Sequence, residues 1–255
     1  MNQTADGTAG GRAEGPADGT ADPSPPASAA RSARARVRAE LTREILEAAR
    51  RQLATEGAAG LSLRAVAREL GMVSSALYRY FPSRDDLLTA LIIDGYEALG
   101  VAVEEADAGR ARSDLAGRYR ATCRAVRAWA LVHPHEYALL YGSPVPGYRA
   151  PEETIGPASR VSGVFVAQLQ EAAAAGLSGP AFGDPAPAIL DPDARLVLAG
   201  VPDELAVRGL MVWTGLFGLV SFELFGQFNR VVDEPDLLFD AAVTRMAAFV
   251  GFTPS

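Results

Sequence analysis

The sequence predicts an all-α protein, with a small N-terminal helix-turn-helix unit followed by a larger helical domain. Three observations carry that expectation. The stretch Leu61–Leu87, LSLRAVARELGMVSSALYRYFPSRDDL, encodes two short amphipathic helices joined by a glycine turn and then the start of a third helix. Beyond residue 105 the apolar residues continue to recur at helical spacing. The chain has 255 residues, 49% of them hydrophobic and 22% charged, enough to bury a substantial core in a small domain plus a larger one.

Taken in order, residues 1–30 lack both periodicity and large apolar side chains, so burial cannot offset their ordering entropy and a disordered tail is expected. No basic segment followed by an apolar run stands there, so the sequence reads as that of a cytoplasmic protein without a signal peptide. Residues 31–83 read as the helix-turn-helix domain with a basic arm. The arm, Arg31 to Arg38, alternates arginines that either reach DNA beside the main contact or remain a solvated helix overhang. From Val37 a stripe of Leu41, Ile45, Ala49 and Leu53 predicts a supporting helix that Gly57 breaks.

Ser62 stands where a hydroxyl can cap the next helix, and Leu63, Val66, Ala67 and Leu70 form its buried face. Gly71 ends it, because glycine tolerates the left-handed backbone that a helix end often requires. In the second short helix Ala76, Leu77 and Tyr80 can face inward, leaving Ser74, Ser75, Tyr78 and Arg79 outside. Pro82 stops it, and Ser83 with Asp86 makes a capping box that opens a long helix carrying Leu87, Leu88, Leu91, Ile92, Tyr96 and Leu99. Two helices joined by three or four residues, the second polar and rich in hydroxyls, have the geometry that lays a recognition helix in the major groove of double-stranded DNA. Charge agrees in its distribution. The chain is −7 overall, yet residues 31–90 are net +4 and residues 91–255 net −8.

The run from Arg38 to Ile92, with TREILEAARRQLATEG, the Gly71 turn, the Leu77-Tyr78 pair and the Tyr80-Phe81-Pro82-Ser83 exit, resembles the N-terminal motif of the tetracycline-repressor (TetR) family of transcriptional regulators. It departs from the family pattern at Val73, where a small polar cap is usual, and at Arg84, where lysine is common. The resemblance implies that Arg64, Ser74, Ser75 and Arg79 read bases while Tyr78, Tyr80 and Arg84 anchor phosphates; for Tyr80 packing beneath the helix is the alternative.

Residues 84–255 read as the effector-binding and dimerisation domain. Helices are expected from about Asp114 to the His133-Pro134 break, over Glu136 to Tyr141, from about Pro151 to Ala175, from Asp203 to Phe228 and from Pro235 to Val250. The proline-rich segment Gly176 to Pro202 reads as loop with short extended or turn pieces. Gly209 to Phe228 is unusually apolar, but Arg208 and Glu223 bracket only 14 residues, fewer than the roughly 20 that a bilayer core requires, so no membrane is involved. A helix apolar on nearly all sides needs burial on two fronts, its own domain and a partner. The resemblance supplies the partner, a second copy: Gly215, Gly218, Phe222, Phe225, Val243 and Met246 would lie in a homodimer bundle of the last two long helices. The run WTGLFGLVSFELFG is similar to the WHG-type C-terminal domain of that family, which often has a histidine near the position that Phe217 fills here.

The aromatic residues Tyr119, Trp129, Tyr137, Tyr141, Tyr148, Phe165, Trp213 and Phe217 are candidates to line a pocket for a small, largely apolar effector, with ordinary core packing as the alternative. Single Cys123 excludes an internal disulfide and supplies no zinc framework. His133 and His135 lack a third ligand for a metal, and capping of a helix end suits His133 better. No nucleophile elbow, glycine-rich phosphate loop or HExxH motif is present, so neither an enzyme nor a cofactor is expected. An architectural DNA-binding protein would have little chain beyond its motif, whereas more than half of this one lies there. A repressor released from a palindromic operator by its effector is the reading favoured; an activator or a ligand-independent regulator is the alternative.

Overall fold

The computed structural model describes residues 27–177, 179, 180 and 190–252. Among them the ordered elements are helices: α1 (Ala27–Gly60), α2 (Leu63–Glu69), α3 (Ser74–Leu77), α4 (Arg84–Ala108), α5 (Leu115–Val132), α6 (Pro134–Tyr141), a 3-10 turn (Glu152–Thr154), α7 (Ile155–Ala174), α8 (Pro192–Val197), α9 (Asp203–Leu224) and α10 (Pro235–Phe249). The all-α expectation holds. Most of the expected disordered tail lies outside the described residues, although α1 already begins at Ala27.

Contacts divide the chain into two compact units with the boundary between Leu41 and Thr42. In the first, the described residues are helical and exposed from 32 to 40, Val37 included, so the buried stripe does not begin there. In the second, the stripe is Ile45, Ala48, Ala49 and Leu53. The helical run breaks at Gly57, whose φ of 68° lies in the left-handed region that glycine alone enters freely.

Residues 45–91 bury a small apolar core of Ile45, Leu53, Leu63, Val66, Leu77, Phe81, Leu87 and Leu91. The larger core gathers Leu99 and Val103 of α4 with Tyr119, Cys123 and Val126 of α5, Val161 and Phe165 of α7, Leu216 and Val220 of α9, and Phe239 and Val243 of α10. Helix α4 belongs to both cores and packs on α5 and α7. Its start is fixed by the expected capping box: Ser83 Oγ accepts from the Asp86 N–H at 3.1 Å, and the Ser83 N–H donates to Asp86 Oδ2 at 2.8 Å.

Two local expectations change. Ser62 sits at the N-cap of α2 with extended backbone, but its side chain makes no capping bond; its own N–H donates to Gln52 Oε1 of α1 at 3.0 Å, fastening the loop to the supporting helix. Within Gly176–Pro202, residues 192–197 form α8, because Asp191 Oδ1 accepts from the Ala194 N–H at 2.8 Å and Pro192 takes the first helical position, where no N–H is needed. Residues 178 and 181–189 of that segment lie outside the described residues. Helix α9 stops at Leu224, four residues short of the expected Phe228: Gly226 turns left-handed (φ 80°) and the Gln227 N–H closes onto Phe222 O at 2.9 Å.

By length and composition α9 is the one described helix that could cross a membrane. Its fixed polar contacts place it in the bundle instead. Arg208 is buried, donating to Glu204 Oε1 at 2.8 Å, to Phe249 O of α10 at 2.9 Å and to Pro180 O.

Candidate nucleic-acid interface and ligand cavity

The glycine turn sets the angle between α2 and α3. Gly71 adopts φ 64°, its N–H donates to Arg68 O at 3.2 Å, and the Met72 N–H reaches back to Ala67 O at 2.8 Å, so the last carbonyls of α2 are satisfied while the chain reverses. Leu77, fully buried, anchors α3, and the chain continues through turns to Tyr80. That rotation leaves Ser75, Tyr78 and Arg79 exposed and Ser74, Ala76 and Tyr80 half-buried. Arg64 is exposed on α2. Arg64, Tyr78 and Arg84 border one surface recess of about 430 Å³ that Leu61, Leu63 and Pro82 also line.

Arg84 has a further task that sequence reading did not foresee. Its guanidinium donates to Ala58 O at 2.8 Å and faces Asp85 at 3.6 Å, so it closes the end of α1 onto the start of α4. Val73, the departure from the family's polar cap, stands at the N-cap of α3 with no side-chain capping bond and is 71% exposed ahead of the serines.

The comparisons agree with this geometry. Residues 45–91 match the family description "Bacterial regulatory proteins, tetR family", and residues 119–246 match "Tetracyclin repressor-like, C-terminal domain". The HTH-type transcriptional regulator Rv1816 of Mycobacterium tuberculosis is 42% identical over 214 residues, covering 80% of this chain and 90% of that protein. The chain belongs to the TetR family of transcriptional regulators. A crystal structure described as the putative regulatory protein SCO4313 is 37% identical, with a TM-score of 0.65, covering 83% of this chain and 97% of that one. A protein of unknown function from Rhodococcus sp. RHA1 is 27% identical, with a TM-score of 0.61, covering 82% and 93%. As a TetR-family protein the chain is a DNA-binding transcriptional regulator and not an enzyme.

In the C-terminal part of this TetR-family chain, the aromatic candidates do not surround one space. Tyr137, Tyr141, Phe217, Trp213 and Phe165 run ring against ring, with centroids 5.3 Å apart for Tyr137–Tyr141, 4.3 Å for Tyr141–Phe217, 4.6 Å for Phe217–Trp213 and 5.2 Å for Trp213–Phe165. The Tyr137 hydroxyl donates to Phe217 O at 3.2 Å and shares a 3.0 Å bond with Ser221 Oγ, pinning α6 to α9. Trp129 stacks instead on His133, at 5.0 Å. Phe165 and Trp213 do border a recess of about 220 Å³ between α7, α8 and α9, with Leu169, Leu198 and Ala206. His133 stands between α5 and α6, but its ring caps nothing; Nδ1 pairs with Glu136 Oε2 at 2.8 Å.

A larger cavity, about 540 Å³, lies elsewhere, between α4 (Ile92, Tyr96), α6 (Leu139, Leu140), the loop from Gly142 to Ala150, and the first turns of α7 (Ile155, Ala158, Ser162). Of the aromatic candidates only Tyr148 lines it, since its walls come from four separate segments.

The dimer candidates also divide. Gly218, Phe222 and Phe225 share an open face of α9 with exposed Met211 and Thr214, and a Cβ at Gly218 would meet nothing within 4 Å. Gly215 faces inward, because a Cβ there would lie 2.8 Å from Met246 Cε of α10 in the same chain, and Val243 is buried in the subunit core. Cys123 is wholly buried beside Tyr119, and burial pushes its thiol up to about 12, so it is inert in the folded chain.

Proposed function

We propose that the protein is a cytoplasmic homodimeric repressor that leaves a palindromic operator when a small, largely apolar molecule occupies its C-terminal domain. The observation that carries this reading is the course of α4. One unbroken helix starts at a capping box beside α3 and also walls the 540 Å³ cavity through Ile92 and Tyr96. A ligand that displaces α4 therefore moves the reading head.

On this reading residues 31–83 form the DNA-binding domain and residues 84–255 the effector and dimer domain. Arg64, Ser74, Ser75 and Arg79 contact bases, Tyr78 and Tyr80 contact phosphates, and Arg84 holds the turn while offering its remaining donors to the backbone. Val73, exposed beside the serines, offers methyl groups to a thymine. One short recognition helix reads too few base pairs for genomic specificity, so two copies act together through the α9 face of Met211, Gly218, Phe222 and Phe225.

Selection of operators from a random DNA pool, followed by affinity measurement at fixed salt, tests this. A two-fold symmetric site is expected, and Arg64→Ala should cost about 1–3 kcal/mol and relax preference at one position of each half-site. An asymmetric site, or an Arg64→Ala variant with unchanged preference, counts against it.

A further inference from the structure

The walls of the 540 Å³ cavity combine two kinds of group. Ile92, Leu139, Leu140, Val145, Ile155 and Ala158 supply apolar surface, while Tyr96, Ser143, Tyr148, Thr154, Ser159 and Ser162 supply hydroxyls. No lining residue is an acid, an arginine or a histidine. Of the charges near its walls, Arg160 of α7 is held by Glu97 and, at 2.9 Å, by Glu104, both on α4, while Arg149, between Tyr148 and Ala150 on the loop, is exposed and is not a lining residue. The positive end of α7 approaches through Thr154 and Ile155, but Glu152 and Glu153 precede it and answer its field.

We infer that this cavity binds an uncharged amphipathic molecule, an apolar body carrying a hydroxyl or carbonyl group, and that it rejects the corresponding anions and cations. The volume falls within the roughly 300–1,000 Å³ of small-molecule sites. The polar end has a place to go. Tyr96 spends its hydroxyl on a long 3.4 Å bond to Leu140 O, which a better acceptor replaces at little loss, and the Tyr148 hydroxyl, sharing a 2.9 Å bond with Thr89 Oγ1 of α4, retains capacity for one more partner. A charged end has none. Burial already pushes the Tyr96 phenol above its ordinary value, meaning that a negative charge is disfavoured at that wall, and no carboxylate lines the cavity to receive an ammonium.

The inference rests on reading the second domain as an effector domain, but its test does not pass through DNA. Titration calorimetry of the full chain at pH 7.5 with 1-decanol, decanoate and decylammonium compares one apolar body with three head groups. Decanol should bind, and both ions should bind at least about tenfold more weakly. Ala158→Trp, which fills the cavity, should abolish decanol binding while the far-ultraviolet circular dichroism stays unchanged; Val145→Trp, on the loop, serves if the first variant misfolds. Absence of decanol binding, an ion binding as tightly as decanol, or decanol binding unaffected by a filled cavity would each overturn the inference. Decanol that binds yet leaves operator DNA bound would instead count against effector-released repression and leave the cavity's chemistry standing.

Discussion

Arg118 and Arg50 both tie neighbouring helices to α4, the first through Asp107 near its C-terminal end and the second through Asp94 in its N-terminal half. The Arg118 side chain is 0% exposed and fully engaged. Its Nε and Nη2 donate to the two Asp107 oxygens, both at 2.9 Å, and Nη1 donates to Glu171 Oε2 of α7 at 2.5 Å and Arg112 O at 3.3 Å. Gln168 of α7 adds a 2.8 Å bond to Asp107 and a 3.1 Å bond to Thr122 of α5. Arg50 keeps 22% of its side chain exposed while holding Asp94, Glu47 at 2.8 Å and Glu136 of α6 at 2.8 Å. The difference is one of alternatives. The Arg118 side chain is wholly out of reach of water, so its cluster fixes α4 against α5 and α7; Arg50 keeps contact with solvent, so its cluster can exchange partners without unfolding the chain.

The sharpest test of that contrast is Arg118→Leu. It removes the buried guanidinium from Asp107, which keeps Gln168, and from the more exposed Glu171, which keeps Arg112; removal of one partner from a buried pair costs about 3–5 kcal/mol. Urea denaturation should show a loss of that order with a matching fall in Tm. A loss under about 1 kcal/mol would place Arg118 in the same class as an exposed pair.

Acid titration should show the same asymmetry more gently. Burial acts to raise the Asp107 carboxyl, but hydrogen bonds from Arg118 and Gln168 and the charges of Arg118 and Arg112 outweigh it, and the group titrates below the ordinary carboxylate range. A carboxyl lowered in the folded state contributes stability that is present above its unfolded value, about 3.9, and is lost as pH falls through the lower folded value. Stability measured from pH 5 down to pH 2 should therefore fall less steeply in Asp107→Asn than in the parent. Equal slopes for the parent and Asp107→Asn would remove the distinction.

How much of this was legible in the sequence follows from the distance between cause and effect. The turn at Gly71 and the Ser83–Asp86 capping box are set by residues within four positions of one another, and both stand where the sequence put them. Ser62 was misread because its N–H found Gln52, ten residues away, and the side-chain cap became unnecessary. The arginine clusters were invisible for the same reason at larger scale: Arg118 meets Glu171, 53 residues on, and Arg50 meets Glu136, 86 residues on. Aromatic content told that Tyr137, Trp213 and Phe217 were important, but a ring that lines a cavity and a ring that fills one have the same spacing. Only the assembled bundle separates them, and it gives the larger cavity to α4, α6 and the 142–150 loop.

The smallest expected change in stability belongs to Arg50→Met, and it is the most informative for regulation. Methionine keeps most of the apolar stem, and the lost pairs are partly hydrated, so unfolding free energy should change by no more than about 1 kcal/mol. Yet Arg50 lies on α1 of the reading head, and Glu136 lies on α6, the helix that presents Leu139 and Leu140 to the cavity. If the head is positioned partly through that contact, a cavity ligand shifts α6 and the pair transmits the shift; without the guanidinium, the ratio of operator affinities with and without ligand should move toward one. The measurement is operator affinity in the presence and absence of a saturating cavity ligand, for parent, Arg50→Met and Glu136→Gln. Equal ratios in all three would confine the coupling to α4 itself and leave the Arg50 cluster with a purely local role.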